Sequence, residues 1–174
     1  MNITDMYRSL AHSATPAQIE QATQWYADAE LLAHDLIRIY AERGMHVTLE
    51  QTSSIISAFS PRQRWSRNVV QALEFAHGGK PAGLSNNLRM AELAESAGFA
   101  ALRGLKTNAF ARAISGDDDA VTIDVWMISA AGMDDKKGVN KTEYRVLSDA
   151  VRTVAHELGM TPRVTQALIW ICHR

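Results

Sequence analysis

At 174 residues, 47% hydrophobic and 21% charged, the chain has the size and balance of one globular domain that can bury a core without disulfides or structural metals. Its formal charge of −1 gives no global positive field, so any contact with nucleic acid has to come from a local basic patch. The single cysteine, Cys172, excludes an internal disulfide and a thiolate-held metal cluster, and the absence of a signal-peptide core or a membrane-length apolar run predicts a cytoplasmic protein.

Thr15-Pro16-Ala17-Gln18 has the pattern of an N-cap, a proline at the first helical position and a capping-box glutamine, and Gly44 that of a C-terminal cap. One long helix lies between them. Its apolar positions Ile19, Ala22, Tyr26, Ala29, Ala33, Leu36 and Tyr40 step by three and four, which predicts a single core stripe. Thr48-Leu49-Glu50-Gln51 repeats the capping box and starts a second helix through Ile55 and Ile56 to near Phe59. Ser60-Pro61-Arg62-Gln63 caps a third, which runs to about His77 before Gly78-Gly79 stops it, so a tight corner falls between Phe59 and Pro61.

Pro81-Ala82-Gly83 predicts a turn, Ser85 the cap of a fourth helix through Leu88, Ala91, Leu93 and Ala94, and Gly98 its close. Phe99 to Leu102 predicts one further turn of helix. From Thr107, the positions Ala109, Phe110, Ala113 and Ile114 have helical spacing, ended by Gly116. Beyond the acidic run Asp117-Asp118-Asp119, the β-branched segment Val121 to Val125 fits either a strand or the approach to a helix opening near Asp124. Thr142 caps a helix to about Leu158, stopped by Gly159, and Thr161-Pro162 opens the last one through Val164, Ala167, Leu168 and Ile171. The expected architecture is all-α and a single compact domain over 1–174, without repeats or an interdomain linker.

Lys106 and Asp124 carry the clearest chemistry, eighteen positions apart on consecutive elements. An amine and a carboxylate so placed can supply a nucleophile and its electrostatic partner to one cleft. Arg62, Arg64 and Arg67, and Arg103, Lys106 and Arg112, form two local basic groups, although arginines on helix faces are more often simply solvated. His156 and His173 lack a second ligand at metal-binding spacing, so no metal site is expected from them. Asp117 to Asp119 is a solvated loop, with a divalent cation as the open alternative. Trp25 and Trp170 are assigned to the core.

Leu102 to Met127 resembles the helix-hairpin-helix DNA glycosylase superfamily, which includes endonuclease III, adenine glycosylase and 8-oxoguanine glycosylase. Gly104-Leu105-Lys106-Thr107 matches the second half of that family's hairpin, Leu-Pro-Gly-Val-Gly-x-Lys-Thr-Ala. Ile123-Asp124-Val125-Trp126 matches its Val-Asp-Thr-His segment at the endonuclease III spacing, which favours the helix over the strand. Ile55-Ile56-Ser57-Ala58 is similar to the family's Leu-Leu-Ser-Ala, and the stretch from Gln166 to Arg174 to its late His-His-Trp-Leu-Ile-Leu-His-Gly-Arg. Roughly two thirds of the chain can be laid along the family's order.

The resemblance implies two lobes around a cleft, with the hairpin near 99–107 and the long N-terminal helix packed with the C-terminal helices as one lobe. It implies a DNA glycosylase, with or without AP lyase activity, acting as a monomer on DNA and not on membranes. Asp124 would stabilise positive charge on the sugar and Lys106 would attack C1′, which an amine does only when unprotonated. Arg103, Gly104 and Thr107 would grip DNA at the hairpin, Phe59 would fill the gap left by an extruded base, and Arg62 and Arg64 would hold flanking phosphates. Trp126, standing where the family often has histidine, and Gln166 would face the substrate pocket. No organic cofactor and no iron-sulfur cluster are implied; a monovalent cation at the hairpin is the one ion allowed. The bland alternatives are a plain N-cap for Asp124, a surface lysine for Lys106 and a core aromatic for Phe59.

Ala101 and Leu102 replace the hairpin's proline and first glycine, which alters the backbone-amide grip on phosphate. Two other functions fit the same fold: a phage-type enzyme that modifies a DNA base, and a non-catalytic DNA- or protein-binding relative.

Overall fold

The structure, a computed structural model, describes residues 2–174. Those residues form nine α-helices and one 3₁₀ turn, with no strand among them. In order these are α1 (Ile3–His12), α2 (Pro16–Glu42), α3 (Leu49–Phe59), α4 (Trp65–Ala76), α5 (Ser85–Ala97), the 3₁₀ turn (Gly98–Ala101), α6 (Leu105–Ile114), α7 (Val125–Ala130), α8 (Lys141–Leu158) and α9 (Pro162–His173). The chain divides into two compact units, the residues up to Ala27 with Asp117–Arg174, and Asp28–Gly116, the first division falling inside α2. Among the described residues, no helix is long and apolar enough to cross a membrane.

In the first unit, α1 and α9 pack with α8, and α7 packs on α9. The sequence pattern did not reveal α1, whose start is the Asn2 side chain accepting the Asp5 N–H at 2.9 Å and whose buried face is short, Tyr7 and Ala11. Arg8 grips Glu157 with two parallel bonds, Nε to Oε2 at 2.7 Å and Nη2 to Oε1 at 2.8 Å, tying α1 to α8. These bonds hold the Glu157 carboxyl below the usual glutamate range. α8 is capped two positions earlier than at Thr142: Asn140 is the N-cap and Glu143 completes a capping box. Asparagine caps more strongly than threonine, and Glu143 falls at the third helical position only in that register. At α9 the expected Thr161 cap and Pro162 first position are both present. α7 opens at Asp124, so the strand alternative for Val121 to Val125 is discarded.

In the second unit, α3 is the central element, packed on α4, α5, α6 and the 3₁₀ turn. Thr48 and Gln51 make its capping box. Ser53, Ser54 and Ser57 are buried on it, where small side chains allow neighbouring backbones to approach. Ser57 Oγ also donates to the Thr107 carbonyl of α6 at 2.7 Å. Gly98 closes α5 at φ 55, and a Cβ there would lie 2.5 Å from Glu50 Oε1; glycine is required on both counts.

The structure revises several helix starts and one stripe. Ser60 does not cap α4. The Gln63 N–H instead bonds the Ser60 carbonyl at 3.3 Å, Arg62 adopts φ 58, and α4 begins only at Trp65. Buried Asn87 staples this turn, its Nδ2 donating to the carbonyls of Pro61 at 3.1 Å and Phe59 at 3.4 Å. Leu84 occupies the cap position of α5, with Ser85 already helical, and α6 begins at Leu105 rather than Thr107. Of the α2 stripe, Ala22, Tyr26, Ala29, Ala33, Leu36 and Tyr40 are buried, whereas Ile19 near the helix start is 41% exposed. Trp25 and Trp170 are half-buried rather than core.

Removing the cap of α8 tests this register. Asn140→Ala is expected to lower unfolding free energy by about 1 kcal/mol in denaturant titrations, whereas Thr142→Ala, at an exposed position inside the helix, changes it little.

Candidate active-site residues

Asp124 is the N-cap of α7. Its Oδ1 accepts the Trp126 and Met127 backbone N–H groups, each at 3.0 Å. Its Oδ2 accepts the Trp170 indole N–H from α9 at 3.1 Å. Three donors on one half-buried carboxylate fix its direction and leave a negative charge with little freedom to reorient. The cap is therefore real.

The approach to Asp124 runs without regular backbone pairing; tyrosine hydroxyls from two other helices take up its polar groups, and one from a third holds the start of α7. Tyr144 of α8 donates to the Val121 carbonyl at 2.8 Å and accepts the Ile123 N–H at 3.2 Å. Tyr26 of α2 lies 3.3 Å from Thr122 Oγ1 and donates to Gln166 Oε1 at 2.7 Å. Tyr7 of α1 donates to the Met127 carbonyl at 2.8 Å. Burial is the main cause that raises the phenol pKa of all three, and the Asp124 charge adds to the rise in each. Tyr144 is pushed up to about 12.

Gln166, expected to face substrate, is 5% exposed and its carbonyl is taken by Tyr26. Its role is corrected from pocket lining to holding Tyr26 against Thr122. Trp126 is 43% exposed and meets His173 edge-on at 6.5 Å. Trp170, while holding Asp124, lies 6.4 Å from Trp25 and carries the Arg174 guanidinium over its ring at 4.7 Å. Sequence reasoning missed a polar chain beside this cluster: Ser129 donates to Asp134, so His173 Nε2, 2.9 Å from Ser129 Oγ, has to be the donor in that contact. No motif spacing announces it, because the three residues come from α7, the following loop and α9.

Lys106 belongs to the second unit and Asp124 to the first. Lys106 is half-buried in the first turn of α6 and makes no hydrogen bond or ion pair among the described residues. The hairpin before it is held by Asn108, whose Nδ2 donates to the carbonyls of Phe99 at 3.1 Å and Leu102 at 3.2 Å. Leu102 is buried in the hairpin. Arg103 and Gly104 are exposed, and Thr107 turns its hydroxyl back onto the Gly104 carbonyl at 3.1 Å. Arg62 and Arg64 are exposed and unpaired on the stapled turn. Residues 61–112 hold eight Lys and Arg against three Asp and Glu, a local basic bias that the net charge conceals.

Phe59 is corrected. It is 1% exposed, with its ring against Phe75 of α4 at 5.8 Å, so it is a core aromatic and cannot serve as a gap-filling side chain in this conformation. No group of three or more His, Cys, Asp or Glu side chains among the described residues is placed to hold a metal ion.

A family model described as Family of unknown function (DUF7178) matches residues 1–174. No curated protein matches the chain, and no solved structure does.

All four tyrosines, Tyr7, Tyr26, Tyr40 and Tyr144, have pKa values raised above the ordinary 10.0, first by burial. A raised value stabilises the fold fully below pH 10.0, and that contribution is lost as pH climbs from there toward the folded values. Phenolate absorbance is therefore expected to appear together with loss of helical circular dichroism, and free titration of any tyrosine near its ordinary value in the folded protein would contradict the packing.

Proposed function

We propose that this chain, which belongs to that family of unknown function, is a DNA glycosylase that can also act as an AP lyase. The observation that carries the proposal is the Asp124 carboxylate, locked by three N–H donors at a helix start, eighteen residues after Lys106 at the hairpin. Support also comes from the unpaired state of Lys106, the exposed Arg62, Arg64, Arg103 and Gly104, and the basic bias of residues 61–112. Half-exposed Trp126 beside Asp124 offers an aromatic surface to a base. The protein would work as a cytoplasmic monomer on DNA, with no organic cofactor and no iron-sulfur cluster.

Departure of a base leaves positive charge on the sugar, and a fixed carboxylate stabilises that charge more in the transition state than before it. Asp124 has this role. The neutral Lys106 amine forms a bond to C1′ as the glycosidic bond breaks, the base leaving with the electron pair and taking up a proton while the new C1′–N ammonium gives one up. The C1′–O4′ bond then opens, O4′ is protonated and the nitrogen becomes a Schiff base, whose loss of a 2′ proton expels the 3′ phosphate. Buried Leu102, which removes a glycine from the phosphate grip, favours a second reading, a non-catalytic DNA binder. The base-modifying enzyme remains the alternative chemistry.

Borohydride trapping on abasic-site DNA tests the lyase step: the wild-type chain should form a covalent adduct and Lys106→Gln none, and an adduct unchanged in the variant ends that assignment. Asp124→Asn can still cap α7 through its amide oxygen but turns an NH2 toward the Trp170 indole N–H, so it should fold with some loss of stability and release base on the order of 100-fold more slowly. Nucleoside mass analysis decides the rest: a new modified base would replace excision, and DNA binding without any product would leave the binder.

A further inference from the structure

The second unit contains a groove of about 640 Å³ between the turn after α3, the outer face of α5 and the hairpin. Along α5 it is lined by Asn86, Asn87, Arg89, Met90, Leu93 and Ala97, of which Asn86, Met90, Leu93 and Ala97 follow at steps of four, three and four, a helical stripe in a single line. Leu93 is 45% exposed, and the opposite wall is alanine and leucine from residues 100–102. Arg89 and Arg103 also line the groove. Both are exposed and neither has a hydrogen bond, ion pair or ring contact among the described residues. No acid and no aromatic side chain lines it.

We infer that this groove docks an amphipathic segment of a partner protein, with apolar residues on one helical face and Asp or Glu beside them. Two unpaired guanidinium groups at the rim of an aliphatic floor complement an occupant that is apolar in the middle and anionic at its edge. A nucleic-acid strand fits less well. It would press phosphate charge onto Met90, Leu93 and Ala97 and lose hydration there, and it would find no ring on which to stack a base. The aliphatic stripe with a methionine instead matches the grooves that take an amphipathic helix, where one unbranched side chain adapts to the knobs of the partner. Arg89, Met90 and Leu93 have no role in base excision, whereas Arg103, Gly104 and Thr107 of the hairpin line the groove as well, so a bound segment and DNA would compete there.

The test is selection of a phage-displayed random peptide library on the full-length chain, followed by fluorescence anisotropy with a labelled selected peptide. Enriched sequences should carry Leu, Ile or Phe at i, i+3 or i+4 and i+7 with flanking Asp or Glu. Leu93→Asp should weaken binding at least about tenfold, and Arg89→Glu should weaken it with a loss of salt dependence, both with unchanged circular dichroism melting. The inference is overturned by failure to enrich any consensus, by a basic consensus, or by peptides that bind both variants as well as the wild type. A single-stranded oligonucleotide whose affinity drops tenfold in Leu93→Asp would assign the groove to nucleic acid and overturn it as well. Borohydride trapping by Arg89→Glu reports on the excision reading separately, since this residue is outside the proposed chemistry.

Discussion

Tyrosine hydroxyls determine where the Asp124 carboxylate can be. The segment from Val121 to Asp124 lies between two helices with no ladder of its own, and buried carbonyls and N–H groups in such a stretch need partners. Tyr144 satisfies Val121 and Ile123, Tyr26 reaches Thr122, and Tyr7 takes Met127 just inside α7. A phenol is a rigid arm with a polar end, so each bond fixes position as well as energy. Once Met127 and Ile123 are held, Asp124 has one place to stand, and the Trp170 indole fixes its outer oxygen. The carboxylate is thus oriented by residues scattered over α1, α2, α8 and α9.

Asparagines do comparable work in the second unit. Asn87 holds the carbonyls of the turn after α3, and Asn108 holds those of the hairpin. Both act from regular helices on irregular neighbours, which lets the loops keep short, defined shapes. At the hairpin this matters most. Ala101 and Leu102 stand where a tighter turn would need proline and glycine, Leu102 turns into the core, and Asn108 supplies the constraint that those residues would otherwise give.

What could be foreseen follows from the range of each signal. Capping boxes at Thr15 and Thr48, the stop at Gly159 and the Thr161-Pro162 start depend on residues within four positions of one another, and each is legible in the sequence. The same local rule misplaces the start of α8, because Asn140 and Thr142 are both competent caps and only the position of Glu143 chooses between them. α1 escapes notice since its buried face is no more than Tyr7 and Ala11. Among the site residues, Asp124 as a helix-opening carboxylate is favoured over a strand only through the family resemblance, since the residues alone fit both. A core place for Phe59 is one of two sequence readings, decided by its contact with Phe75; the burial of Gln166 has no local sign, for it depends on Tyr26, which lies far off in the sequence. The tyrosine bonds and the chain from Asp134 through Ser129 to His173 have no local signature at all.

Arg62 leads to a separate consequence. Left-handed backbone at a residue with a β-carbon costs about 1 kcal/mol, and here the side chain has no hydrogen bond, ion pair or ring contact among the described residues to offset it. Glycine would occupy the same turn more comfortably, since the staple from Asn87 reaches the carbonyls of its neighbours and not position 62 itself. The chain therefore bears a small thermodynamic handicap at an exposed guanidinium corner, and any return on it has to be found in solution, where the group is free to meet an anion that the fold does not contain.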